Sequence, residues 1–140
     1  MEVIPEEVGS KENSAQSPTM QASMQCVLDR LYAIFSESRK AGWDGYGARA
    51  ASYESYLEAK RFIEALPASC PAPEIALDPD GEVSLEWYSL PGKIFSVSVG
   101  ADGELTYAGK FGPIRKTHGT EPFSGEVPTV ILANLRRVLG

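Results

Sequence analysis

The sequence has few of the residues that build disulfide frameworks and metal sites. Its 140 residues include two cysteines, Cys26 and Cys70, and one histidine, His118. The two cysteines form neither a disulfide framework nor a metal-ligand spacing, and a single histidine argues against zinc. We therefore expect no metal and no cofactor, and both thiols reduced in a cytoplasmic protein.

Long apolar runs and an excess of basic charge are also lacking. No run approaches the ~18 apolar residues of a membrane span, and the acidic N-terminus is unlike a secretory signal. The formal net charge of −6 disfavours nonspecific attraction to nucleic acid or anionic membranes. A basic partner suits this charge better.

What the chain does have is a stretch, residues 78–111, in which apolar and polar residues alternate. Three alternating runs separated by turn residues predict antiparallel strands with one buried face. We expect a type I turn over residues 78–81 and a two-residue type I′ hairpin centred on Asp102 and Gly103. The first turn also has alternating carboxylates, but Pro79 and the absence of calcium-loop spacing favour the turn over a calcium site.

The flanking segments predict helices and one more strand. Apolar residues recur at helical spacing over residues 20–40, over residues 52–66 and from about Pro128 onward, and a short strand is expected at Glu74–Leu77. Residues 109–125 are rich in glycine and proline and are expected to be loop. The predicted fold is α+β: two N-terminal helices, a four-stranded antiparallel β-meander and a C-terminal helix, with the helices on one sheet face.

The N-terminal residues 1–20 are polar and predict a disordered tail ahead of a single domain over residues 21–140. Such a segment either stays solvated or becomes ordered on a partner.

Residues 42–48, GWDGYGA, are an unusual connector. One interpretation is a binding loop, with Trp43 and Tyr46 as contact surface and Asp44 as acceptor. The alternative is structural: Trp43 fills the core between two helices, and Asp44 caps the tight turn.

The outward side of the predicted meander carries small and acidic side chains around one aromatic residue. They are Glu82, Ser84, Glu86, Tyr88, Ser96, Ser98, Glu104, Thr106 and Ala108. Tyrosine is favoured in interface centres, and acidic charge steers basic partners. The surface is therefore either a binding face or the solvated side of a half-buried sheet.

A catalytic interpretation rests on His118. Histidine is the natural general acid or base, and it would act with Glu121 or Asp44 if their loops meet. In the alternative, His118 and Glu121 only satisfy backbone groups near the last helix. A basic cluster of Lys110, Arg115 and Lys116 lies nearby, but three charges in an acidic chain without an RNA-recognition signature argue against nucleic acid.

Four blocks together carry a resemblance: GWDGYGA (42–48), DPDGEVSLEWY (78–88), FSVSVGADGELTYAG (95–109) and HGTEPF (118–123). With them the chain resembles, over roughly residues 41–138, a group of small, uncharacterised bacterial proteins. The resemblance implies a bacterial cytoplasmic setting and assigns no activity, ligand or catalytic residue.

The function expected from these observations is non-catalytic binding of a protein partner. The most concrete form is an inhibitor, antitoxin-like or immunity-like partner of a basic protein, with no membrane role. The expected contacts are Trp43, Asp44, Tyr46, Glu86 and Tyr88. The alternative is a small hydrolase-type enzyme that uses His118 with Asp44 or Glu121.

Overall fold

The computed structural model describes residues 18–39, 52–89 and 92–139. These form three helices and five strands. In chain order they are α1 (Pro18–Glu37), α2 (Tyr53–Ala65), β1 (Glu74–Leu77), β2 (Val83–Tyr88), β3 (Lys93–Val99), β4 (Glu104–Phe111), β5 (Lys116–Pro122) and α3 (Thr129–Leu139).

The architecture confirms the predicted α+β fold and corrects its strand count. The five strands form one antiparallel sheet in the order β1-β2-β3-β4-β5. The additional strand, β5, lies within the segment that was expected to be loop. Its sequence, KTHGTEP, has no alternating apolar residues. Among the described elements, β5 packs against β4 alone and is covered by no helix, so nothing requires an apolar face there.

The β1–β2 and β3–β4 hairpin turns are closed by the same type of hydrogen bond, from the N–H of the fourth residue to the C=O of the first. Gly81 N–H donates to Asp78 C=O at 2.8 Å, as the predicted turn requires. Gly103 N–H donates to Gly100 C=O at 3.0 Å, so this second turn starts at Gly100 and the predicted two-residue type I′ hairpin is wrong. Gly81 and Gly103 both have positive φ (91° and 82°), the pattern of a type I turn followed by a left-handed residue.

The core lies between the helices and one face of the sheet, the inner face. Phe95 is at its centre, with its ring centroid 6.3 Å from that of Trp87 and 5.9 Å from that of Tyr107. Helix α3 packs on β2, β3 and β4, helix α2 on β2 and β3, and helix α1 on α2 and β1. The fully buried sheet residues Leu85, Val97, Val99 and Leu105 belong to this face.

A buried serine joins α2 to the sheet. Ser52 caps the helix as predicted, and its side chain accepts from Ser55 N–H at 3.1 Å. Ser55 is fully buried; its Oγ donates to Val99 C=O at 2.5 Å and accepts from Val83 N–H at 3.4 Å. The hydroxyl therefore fixes the helix against two strands at once.

Helix α1 begins at Pro18, within the predicted tail, and ends before the predicted boundary. Residues 1–17, which make up most of that tail, lie outside the described residues. None of the helices described is long and apolar enough to cross a bilayer.

Candidate functional site

The second face of the sheet, here called the outer face, is covered by none of the described helices. Its side chains form rows across the strands because the registers are continuous. One row is Glu74, Glu86, Ser96, Ala108 and His118, a second is Ala76, Ser84, Ser98, Thr106 and Thr120, and a third is Tyr88, Ile94, Lys110 and Lys116. The structure thus supports the predicted outward orientation of Glu86 and Tyr88.

Tyr88 is the main aromatic contact that the outer face offers. Its side chain is 54% exposed, and its Oη donates to Glu86 Oε1 at 2.6 Å. This hydrogen bond is the largest cause that raises the pKa of Tyr88, followed by desolvation and by the charges of Glu86 and Glu74. The phenol therefore stays neutral and holds the Glu86 carboxylate in one orientation.

The middle of the outer face is small, polar and internally bonded. Ser84 Oγ donates to Asp78 Oδ2 at 2.6 Å and lies 3.2 Å from Ser98 Oγ. Ser98 Oγ also donates to Asp78 Oδ2, at 3.4 Å. Since these polar groups bond to one another, they need no ligand as a hydrogen-bond partner. The short serine side chains also leave the middle of the face flat.

Carboxylates concentrate at the end of the sheet that carries the β1–β2 and β3–β4 turns. This acidic end consists of Asp78, Asp80, Glu82, Asp102 and Glu104. Desolvation is the first cause that raises the pKa of Glu82, and the charges of Asp80, Asp78, Asp102 and Glu104 add to it. No group of three or more acidic, histidine or cysteine residues in the described part of the chain is arranged to hold a metal ion. The arrangement instead produces a strongly negative surface.

The β4–β5 side of the outer face carries two lysines and the histidine. Lys110, Lys116 and His118 are exposed on β4 and β5, where the sequence predicted a loop cluster. Most carboxylates of the face thus lie on β1, β2 and the turn between them, whereas on β4 and β5 Lys110 and Lys116 outnumber Glu104. Sequence reasoning missed Glu74, although the alternation of the correctly predicted β1 would have placed it on the outer face, where it pairs with Glu86.

The structure does not bring His118 and Glu121 together. They are three residues apart on one strand, so their side chains lie on opposite faces: His118 pairs with Ala108 on the outer face, and Glu121 pairs with Leu105 on the inner face. His118 forms no hydrogen bond or ion pair with another residue of the described ranges. Asp44, Trp43 and Tyr46 lie outside the described residues.

A cleft of about 490 Å³ lies between α3 and the segment that follows α2. Cys70 is its buried thiol, and desolvation raises the pKa of Cys70 to about 11 despite a lowering contribution from Trp87. Trp87 Nε1 donates to Pro71 C=O at 2.9 Å. At neutral pH Cys70 is protonated and a poor nucleophile, so the cleft offers no activated thiol.

No protein-family model, no curated protein and no solved structure matches this chain. The resemblance to the bacterial group therefore remains an expectation, and the functional argument rests on the outer face itself.

Proposed function

We propose that this protein is a non-catalytic binding protein whose outer face binds a basic protein partner, as an inhibitor, antitoxin-like or immunity-like protein does. The observation that carries the proposal is the exposed Tyr88 hydrogen-bonded to Glu86 on an uncovered sheet face. The resemblance supports a bacterial cytoplasmic setting for this binding.

The Tyr88–Glu86 pair has the properties of an interface centre. Tyrosine provides a large contact area and loses little side-chain entropy, and Tyr, Trp and Arg dominate measured hot spots. The oriented Glu86 carboxylate accepts an arginine fork of the partner, with Glu74 beside it in the same row. The small residues in the middle of the face allow close approach.

The charge gradient determines how a partner is oriented. The acidic end and Glu74 attract a basic surface, while Lys110 and Lys116 on the far side repel it. A basic partner is therefore centred over β1 and β2. Charges of this kind increase the association rate and make it fall with salt.

The outer face alone is too small for a complete interface. Five strands about 4.8 Å apart and about six residues long present roughly 20 by 20 Å. A standard interface uses roughly 800 Å² of each partner, so the partner also contacts adjoining surface. The acidic end is the proposed additional contact among the described residues; Trp43, Asp44 and Tyr46, which lie outside them, stay proposed contacts on the sequence alone.

The test compares matched variants in one capture experiment. Wild type, Tyr88→Ala and Glu86→Lys are used as bait in lysate of the source cell, beside the controls Tyr32→Ala and Glu64→Lys. Tyr32 is a comparably exposed tyrosine (60%) on α1, and Glu64 is an exposed carboxylate on α2. Trp43→Ala tests the loop separately.

We expect a basic protein that wild type and both controls retain and that Tyr88→Ala and Glu86→Lys lose. With the purified pair, calorimetry should show at least a tenfold weaker Kd for each outer-face variant and a Kd that rises with salt. Equal retention by all five proteins, or an acidic captured protein, would contradict the proposal.

A further inference from the structure

Within residues 18–39, 52–89 and 92–139, the strand β5 presents a free edge of the sheet. It packs on β4 and on no other described helix or strand. All seven of its residues are exposed or half-buried, and Ile114, in the turn just before it, is 87% exposed. An unpaired edge of this length is a template for another strand.

The alternation of bonded and non-bonded pairs between β4 and β5 shows which backbone groups of β5 are unpaired. Phe111 N–H donates to Arg115 C=O at 2.9 Å, and Phe123 N–H donates to Gly103 C=O at 2.8 Å. Bonded pairs alternate in an antiparallel ladder, so the residues that bond to β4 between these points are Thr117, Gly119 and Glu121. The main-chain groups that point away from the sheet belong to Lys116, His118, Thr120 and Pro122.

We propose that a second copy of this chain binds along this edge, antiparallel to β5, with the two-fold axis at Gly119. In this register His118 faces Thr120 of the second copy, and each donates its N–H to the other's C=O. Lys116 faces Pro122 and donates to its C=O. Pro122 has no N–H, so this outer pair makes one hydrogen bond instead of two, and the Lys116 C=O receives none from Pro122.

The extent of β5 selects this register: Gly119 is the middle residue of Lys116–Pro122, so an axis there pairs the whole strand with its copy. An axis at His118 would place the two histidines directly opposite each other and leave Lys116 beside the second copy's Thr120. The axis at Gly119 instead places each histidine opposite Thr120 of the other copy. It also continues the row of Lys110 and Lys116 across the seam into Pro122 and Glu104 of the second copy. Lysine and proline on an edge strand normally disfavour pairing with another strand. In this register Lys116 of one copy lies opposite Pro122 of the other.

The centre of the seam is free of side chains. A Cβ on Gly119 would lie 2.5 Å from Tyr107 Oη and 2.7 Å from Tyr107 Cζ, so the Tyr107 ring covers this glycine on the inner face. Opposed residues of a pair that is not hydrogen-bonded approach to about 4.5 Å between Cα atoms, which two glycines accommodate. Thr117 and Glu121 then face each other on either side as a hydroxyl–carboxylate pair.

This pairing goes beyond the proposed function and does not depend on it. The pairing joins the β5 strands of two copies. The proposed partner binds over β1 and β2, at the far side of the sheet. A dimer of this kind keeps Glu74, Glu86 and Tyr88 of both copies free.

The test uses the full chain in sedimentation velocity over a concentration series, with amide hydrogen exchange followed by NMR. Thr120→Pro removes an outward N–H at the centre of the seam without removing a bond to β4, and Pro122 shows that β5 of the single chain accommodates proline at an outward position. Thr120→Lys is a second variant. Its control is Thr106→Lys, since Thr106 pairs with Thr120 on the same face, one strand inward.

We expect a wild-type dimer, an unchanged dimer for Thr106→Lys, and at least tenfold weaker dimerisation for Thr120→Pro and Thr120→Lys. In the dimer the His118 and Thr120 amides exchange slowly, and dilution accelerates them. A monomer at all concentrations up to about 1 mM would overturn the proposal. So would a dimer in which those two amides exchange as in the monomer, or a dimer that both Thr120 variants retain.

Discussion

β3, at the centre of the sheet, and β5, at its edge, are both seven residues long, yet different interactions hold them in place. β3 has a neighbour on each side and buries Phe95, Val97 and Val99 completely under the helices. β5 has one neighbour and no helix above it among the described elements. Its position depends on backbone hydrogen bonds to β4, on the contact of Tyr107 with Gly119 and on the buried Phe123 that follows it and packs on Phe62.

This difference assigns stability of the fold to the centre of the sheet and binding of partners to its edge and outer face. The centre of the sheet carries the apolar burial that stabilises the fold, and its inward side chains are inaccessible to a partner. The edge and the outer face contribute little burial, so their residues are free to serve binding. Each prediction below tests this division.

The largest expected effect comes from truncating the centre. Phe95→Ala removes a fully buried ring that packs on Trp87 and Tyr107, and we expect the free energy of unfolding to fall by about 3–5 kcal/mol. Thr117→Ala on β5 should cost less than about 1 kcal/mol. Urea denaturation of both variants measures the difference, and losses of similar size would abolish the proposed division.

A smaller loss is expected where β5 touches the inner face. Gly119→Ala places a methyl group against the Tyr107 ring, which must shift, and we expect a cost of about 1–3 kcal/mol. Because Tyr107 is the cause, Gly119→Ala should cost markedly less in a Tyr107→Leu background. A double-mutant cycle measures this coupling, and additive losses would show that Tyr107 does not hold the edge.

The smallest effect concerns the acidic end and depends on pH. Since burial and neighbouring carboxylates raise the pKa of Glu82, the folded state binds its proton more tightly than the unfolded state does. The contribution of Glu82 to stability therefore falls as pH rises from the ordinary glutamate pKa through the raised one. Glu82→Gln should be more stable than wild type at pH 7, by less than about 1 kcal/mol, and equally stable near pH 3.

The exposed helix residue Glu64 provides the control for this measurement. Glu64→Gln should leave stability almost unchanged at both pH values. A Glu82→Gln protein that is less stable than wild type at pH 7 would mean that Glu82 is favourably paired, in conflict with a negative surface at this end of the sheet.

The sequence predicted the elements that bury apolar surface. The stripe of Val27 and Leu31 in α1, the cap at Ser52 and the alternation of β2 to β4 all identified their elements, because burial leaves a periodic pattern. The prediction from sequence failed at β5, because this strand buries no apolar face and so has no periodic pattern. Its second error was the β3–β4 turn, where Asp102 and Gly103 suit more than one turn type.

The candidate site was predicted only in part. Alternation alone placed Glu86 and Tyr88 outward. The basic side of the same face went unrecognised, because Lys110 and Lys116 join it only once β5 is a strand. His118 and Glu121 looked like a pair in sequence, and strand geometry put them on opposite faces.

The amino-acid sequence by itself determined the α+β class, the buried face and the acidic character of the chain, since periodicity and net charge are local or additive properties. Only the tertiary structure decided the edge strand, the charge gradient across the outer face and the link from Ser55 to Val83 and Val99. These depend on hydrogen bonds and registers between residues that are distant in sequence, and no local pattern encodes them.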